Sequence, residues 1–194
     1  LKELQSELEH DFQCKCSYFA ADLSVENQCQ LFVDAILSQY TKIDVLVNNA
    51  GVFLGGKMME EDSSQLAKMM NTNLFSAYWV TKFLWNSFAE NTRSHVFNMC
   101  SIASFTAYAA GGSYSISKFA LLGFSKSLRL EGLDKGIRVT SIMPGATLTD
   151  SWAGVDLPES RFMKPMDVAD SLFAAWSINE TTVMEEVVLR PILG

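Results

Sequence analysis

The 194 residues carry 15 Lys+Arg against 22 Asp+Glu, a formal net charge of −7, and 48% of them are apolar. Without a basic cluster the chain offers no electrostatic footprint for nucleic acid or an anionic membrane surface, and no unbroken apolar stretch is long enough to span a bilayer. The length suits one domain, residues 1–194, with a sizeable core.

Residues 1–10 are charged and helical in pattern, without the organisation of a signal peptide. The four cysteines, Cys14, Cys16, Cys29 and Cys100, show no paired spacing, and with only His10 and His95 they form no believable metal site. Cys29, on an amphipathic helix, and Cys100, beside a strand end, read as buried free thiols. This fits a reducing, cytoplasmic setting. Short β-branched runs alternate with longer helical patterns, which predicts an α/β fold with a parallel sheet. In order they are a strand at 17–21, a helix at 24–40 with Ser24 as N-cap, and a strand at 43–47. A long helix at 63–89 and a strand at 96–99 follow, then a helix at 112–130, a strand at 137–142, a helix at 165–176 and a final strand at 183–189. The segment between Thr149 and Met163 reads as a loop. The Met and aromatic stripe of the long helix reads as packing rather than a ligand box.

One pair of residues carries chemistry. Tyr114 and Lys118 are four apart in Tyr114-Ser-Ile-Ser-Lys118, hence on one helix face. An ammonium close to a phenol favours the phenolate, so the tyrosine is expected to titrate nearer the working pH, where a general acid/base is most effective. Alone, that spacing is weak evidence, and an exposed helical pair would explain it. It gains weight from its order: Asn48-Asn49-Ala50-Gly51 after an apolar strand, Asn71-Thr72-Asn73 within the long helix, Asn98-Met99-Cys100-Ser101 after the next strand, then Tyr114 and Lys118, then Pro144-Gly145-Ala146-Thr147-Leu148-Thr149.

From about Tyr18 onward this series resembles the short-chain dehydrogenase/reductase family, and its last third resembles a bacterial branch named for sepiapterin reductase or 3-oxoacyl-carrier-protein reductase. The resemblance implies a Rossmann-like doubly wound parallel sheet flanked by helices, and reduction of a carbonyl to an alcohol with a nicotinamide cofactor, NADP(H) rather than NAD(H). It makes Asn73, Ser101, Tyr114 and Lys118 the catalytic residues, Ser101 being preferred to Ser104 by its spacing from Tyr114. Asn73 would hold, through its main-chain carbonyl, a water linked to the lysine. The cofactor would meet Asp22 and Leu23 at the adenine, Asn49, Ala50 and Gly51 at the ribose, Tyr114 and Lys118, and Pro144, Gly145, Thr147 and Thr149 at the nicotinamide end. Ser101, Phe105, Tyr108 and Trp152 would face the small-molecule carbonyl or alcohol substrate, with Phe162 and Met163 as further apolar walls. An acyl-carrier partner is disfavoured, since only Arg161 and Lys164 offer positive charge near the cavity. Surplus apolar residues on the two long helices, namely Trp85, Phe88, Phe119, Leu122 and Phe124, imply a homo-oligomer, which the resemblance makes a homodimer or homotetramer.

The family's Gly-rich turn is not found in this sequence, because neither Gly55-Gly56 nor Gly111-Gly112 lies between a strand and a helix. Measured against the family, the sheet is expected to lack its first two strands, and the chain as written to be unstable alone and a poor dinucleotide binder. The alternative function is a non-catalytic scaffold or binding protein of the same fold. The complete set Asn73, Ser101, Tyr114 and Lys118 argues against it.

Overall fold

The computed structural model describes residues 1–88, 93–152 and 154–193. Four strands form one parallel sheet in the order β1 (Val45–Asn48), β2 (His95–Met99), β3 (Arg138–Pro144), β4 (Glu186–Leu189). The helices are α1 (Lys2–Phe12), α2 (Glu26–Leu37), α3 (Ser63–Met70), α4 (Ser76–Phe88), α5 (Gly112–Gly132) and α6 (Pro165–Ser177). None is long and apolar enough to cross a membrane, among the described residues.

Alternation along the buried strands divides the core into two layers. Val96 and Val139 point to one face, where they meet Cys29 and Val33 of α2, Val80, Leu84 and Phe88 of α4 and Leu128 of α5. Phe97 and Ile142 point to the other, against Val168 and Ala175 of α6. A polar seam crosses the first layer: the Asn48 amide donates to Thr81 Oγ1 (3.0 Å) and Asn98 Oδ1 (2.8 Å), and Asn98 donates to Ser125 Oγ (2.8 Å). Every partner lies on a different element, so the seam fixes how α4 and α5 sit on β1 and β2.

Two expectations require correction. Residues 17–21 form no strand: a strand needs a neighbouring backbone ladder, and β1 is paired with β2 alone among the described residues. Ser24 does not cap α2, whose N-cap is Val25; the Ser24 hydroxyl (2.6 Å) and amide (3.0 Å) both donate to Asp22 Oδ1 instead. The predicted long helix runs as α3 and α4 joined by a π-helical turn at Asn71–Phe75, and its last predicted residue, 89, lies outside the described residues. Cys29 and Cys100 are buried and free, as expected, and burial pushes the Cys29 thiol up to about 11.

At the amino end of the sheet, His95 is fully buried and stacked on Phe97, ring centroids 3.9 Å apart. Its Nε2 lies 2.7 Å from Thr140 Oγ1, and that hydroxyl donates to Met184 O (2.6 Å). Thr140 can therefore only accept from the ring, so the neutral imidazole carries its proton on Nε2. Burial, then the Arg138 charge, pull its pKa from 6.5 to about 3. The unfolded chain binds this proton below about pH 6.5 and the folded chain does not until about pH 3, so stability is lost as pH falls through that window. The slope is about 1.4 kcal/mol per pH unit. Urea unfolding at pH 6.5 and 5.0 should show the wild type losing about 2 kcal/mol more than His95→Gln. Equal losses would contradict a neutral buried His95.

Candidate active site

The carboxyl ends of β1, β2 and β3 lead into the segments carrying every residue singled out above except Asp22, Leu23 and those on helices. In open α/β sheets ligands lie at this end. Ser101 follows β2 in extended backbone and caps a short 3₁₀ turn, Ile102–Ser104, its Oγ accepting from Ala103 N (3.1 Å). Ser104 Oγ accepts from Ser101 N (3.2 Å) and is buried, so Ser104 is a structural cap and Ser101 is the serine facing the phenol. Tyr114 and Lys118 stand one turn apart on α5, with Lys118 Nζ 5.7 Å from the Tyr114 ring centroid.

The electrostatics differ from the expectation. Lys118 is buried, and its Nζ donates to Met99 O (2.7 Å) at the end of β2. Burial pulls the ammonium down to about 8. The Tyr114 phenol is held above its ordinary value, first by burial, while the Ser101 hydroxyl acts in the opposite direction by favouring the phenolate. Desolvation of the phenol therefore outweighs the neighbouring positive charge of Lys118, whose ammonium is directed at a backbone carbonyl.

Asn73 sits in the π-helical turn, 1% exposed, and its side chain is fully engaged. Its Oδ1 accepts from Val52 N (2.7 Å), and its Nδ2 donates to Val52 O (3.0 Å) and to Ser117 Oγ (2.9 Å). The side chain joins the turn after β1 to the helix of Tyr114 and Lys118. Gly51 lies over this junction: a Cβ there would stand 3.3 Å from Asn73 Oδ1 and 3.7 Å from Lys118 Nζ. A side chain there would crowd the Asn73 amide, which would have to give by a few tenths of an ångström.

Asn49, Ala50 and Gly51 are exposed at the mouth of this junction. Asp22 is exposed too, and hydrogen bonds from Ser24 hold its carboxyl below the usual range; Leu23 is half-buried, its carbonyl accepting from Cys29 Sγ (3.2 Å). After β3, Gly145 donates to Leu189 O (2.8 Å), and a Cβ at Gly145 would stand 3.3 Å from that oxygen. Thr147 bridges to Met163 and its hydroxyl donates to Gly145 O (3.2 Å), while Pro144 closes β3 and Thr149 is exposed beyond. Met163 is buried, its amide donating to Ala146 O and its carbonyl accepting from Leu148 N, both at 2.9 Å. Trp152 and Phe162 meet edge to face at 5.0 Å, and Phe105 and Tyr108 are exposed. The exposed turn at 49–51, its floor of Asn73 and Lys118, and the glycine-closed turn at 144–147 fit a dinucleotide's nicotinamide and ribose better than they fit a metal. No cluster of three metal-ligating side chains occurs among the described residues.

Three contributors were invisible in the sequence. Ser117 joins Asn73 to α5. Glu61 accepts from Ser113 N (3.2 and 3.3 Å) and Ser113 Oγ (2.5 Å), placing a carboxylate at the N-terminus of α5. Phe53 meets the Tyr114 ring at 5.0 Å, 89° between planes. None shows a local pattern that would mark it.

The model of the family described as short chain dehydrogenase matches residues 1–159. A sepiapterin reductase of Chlorobaculum tepidum is 32% identical over 90% of this chain and 72% of its own length. A diacetyl reductase ((S)-acetoin forming) of Staphylococcus epidermidis is 29% identical over 82% of this chain, which spans 62% of that relative's length. A metagenomic short-chain oxidoreductase solved in complex with NADP is 25% identical, with a TM-score of 0.83 over 100% of this chain and 81% of that one. By its sequence match and its parallel sheet, this chain belongs to the short-chain dehydrogenase family of NAD(P)-dependent oxidoreductases.

Proposed function

We propose that Tyr114 is the proton donor in the reduction of a small ketone or aldehyde to an alcohol, with NADPH rather than NADH as the reductant. The observation that carries this is the placement of the half-buried phenol beside both the Ser101 hydroxyl and the Lys118 ammonium at the carboxyl end of β2. When bound, the reduced nicotinamide supplies the hydride that reaches the carbonyl carbon. The chain supplies the rest. Burial keeps the Tyr114 phenol protonated at neutral pH, which is the form a reduction needs. As the carbonyl oxygen gains charge, the phenol transfers its proton to that oxygen and is left as a phenolate. The Ser101 hydroxyl donates a second hydrogen bond where that charge develops. Lys118 stabilises the phenolate electrostatically and holds the nicotinamide ribose; Asn73 fixes the turn at Gly51 against Lys118. The Asn49–Gly51 turn takes the adenosine ribose, Asp22 and Leu23 the adenine, and Pro144, Gly145, Thr147 and Thr149 the carboxamide side. The preference for NADPH is supported by the metagenomic relative solved with NADP. The reductase names of the two curated relatives support a carbonyl substrate.

Tyr114→Phe in the intact protein should lower kcat by roughly 10²–10⁴-fold with NADPH affinity retained, measured by stopped-flow turnover and fluorescence titration. Lys118 loses its charge above about pH 8, so wild-type reduction should decline through that pH, and Lys118→Met should lose that limb together with cofactor affinity. Tyr114→Phe turnover within a factor of two of wild type would end the assignment.

The same reading extends to assembly as a homodimer or homotetramer. Of the five apolar residues expected to be surplus, Phe88 and Leu122 are buried in the core and Trp85 and Phe124 pack against it, which leaves Phe119. With Phe119, the exposed large apolar residues Phe75, Tyr78 and Ile116 line the outer sides of the π turn, α4 and α5. Sedimentation velocity at micromolar concentration should show an oligomer that Phe119→Glu dissociates; a wild-type monomer would refute it.

A further inference from the structure

Phe53 lies two residues beyond Gly51 and is 40% exposed, yet its backbone surroundings are held at four points. Asn73 pairs with both the amide and the carbonyl of Val52. Gly56 N donates to Ala110 O (3.1 Å), and Glu61 accepts from the amide and hydroxyl of Ser113. Gly55 leaves room for the ring, since a Cβ there would come within 3.1 Å of Phe53 Cζ. The loop is thus stapled on one side to the catalytic floor and on the other to the segment that begins α5. A large aromatic ring on a fixed backbone, left half in solvent, is a preorganised binding face and not a core residue.

Its place beside the Tyr114 phenol fixes what that face can bind. Phe53 meets the Tyr114 ring edge to face at 5.0 Å. Phe105 and Tyr108, 41% and 47% exposed, stand on the loop that leads from Ser101 to Tyr114. The Phe53 ring, half in solvent, offers a charged or strongly polar substituent neither a counter-charge nor a hydrogen bond. A flat aromatic substituent gains ring contacts on the same surfaces.

We propose that Phe53 is a specificity-determining residue that selects a carbonyl conjugated to an aromatic ring, an aryl ketone or aryl aldehyde, by stacking that ring beside the catalytic phenol. The proposal rests on the carbonyl-reductase reading but commits to its substrate class.

The test uses the intact protein with acetophenone and 2-butanone as probes, in wild type, Phe53→Ala and Phe53→Tyr. The wild type should favour acetophenone in kcat/KM by tenfold or more. Phe53→Ala should erase about tenfold of that preference, mainly through KM, and Phe53→Tyr should restore it. Saturation-transfer NMR reads acetophenone binding independently of turnover, and should show it weakened in Phe53→Ala while the melting temperature and NADPH affinity stay at wild-type values. A preference unchanged in Phe53→Ala, including one where activity falls equally for both ketones, would overturn the proposal. If neither ketone is turned over yet acetophenone binding still depends on Phe53, the role of Phe53 stands and the reductase reading falls. Binding that does not depend on Phe53 would overturn the proposal whatever the turnover.

Discussion

The site depends on one side chain that does no bond-making. The Asn73 amide uses one acceptor and two donors inside the fold, closing a two-way pair with Val52 and reaching Ser117 on α5. An asparagine in a regular helix would compete with the backbone. Here the helix yields with a π turn at Asn71–Phe75, which aims the amide at the turn after β1. Loop and helix are then locked across a buried junction, and Gly51 can lie against both the amide and the Lys118 ammonium. Buried without its partners, that amide would be costly; fully bonded, it gives a rigid floor.

Burial sets the chemistry on that floor. The Lys118 ammonium is drawn to the Met99 carbonyl and softened toward neutrality, while the Tyr114 phenol is made a weaker acid than in water. Both effects come from the same dry environment. In the proposed reduction, a phenol that stays protonated until a more basic alkoxide forms beside it is the suitable donor, and the Ser101 hydroxyl would supply the opposing pull once charge appears. Beneath the site, the seam of Asn48, Asn98, Thr81 and Ser125 orients the two helices that carry the floor.

What could be read from the sequence was whatever depends on short spacing. Tyr114 and Lys118 are one turn apart, Ser101 follows a buried strand, and the apolar run of residues 45–47 marks β1. Residues 17–21 have strand composition too, but composition cannot supply a neighbour for the ladder. The Tyr114–Lys118 spacing fixed which face the two share and not where the ammonium points; that is decided by the Met99 carbonyl, 19 residues away in the chain. Glu61 and Ser113 meet across 52 residues and Asn73 and Ser117 across 44, and contacts of such separation leave no periodic trace. Phe53 follows a recognisable glycine turn, yet only the folded loop brings it to Tyr114.

The claim that Asn73 preassembles this site is most directly tested at the Val52 amide. That N–H lies in a loop, and its acceptor is the Asn73 side chain. Amide hydrogen exchange on the intact protein, resolved to single residues, reads it without any substitution. The account predicts exchange at Val52 as slow as in the buried turns of α5, although the surrounding loop exchanges freely. A Val52 amide that exchanges as fast as its exposed neighbours would show that the junction opens on its own, and would contradict the account.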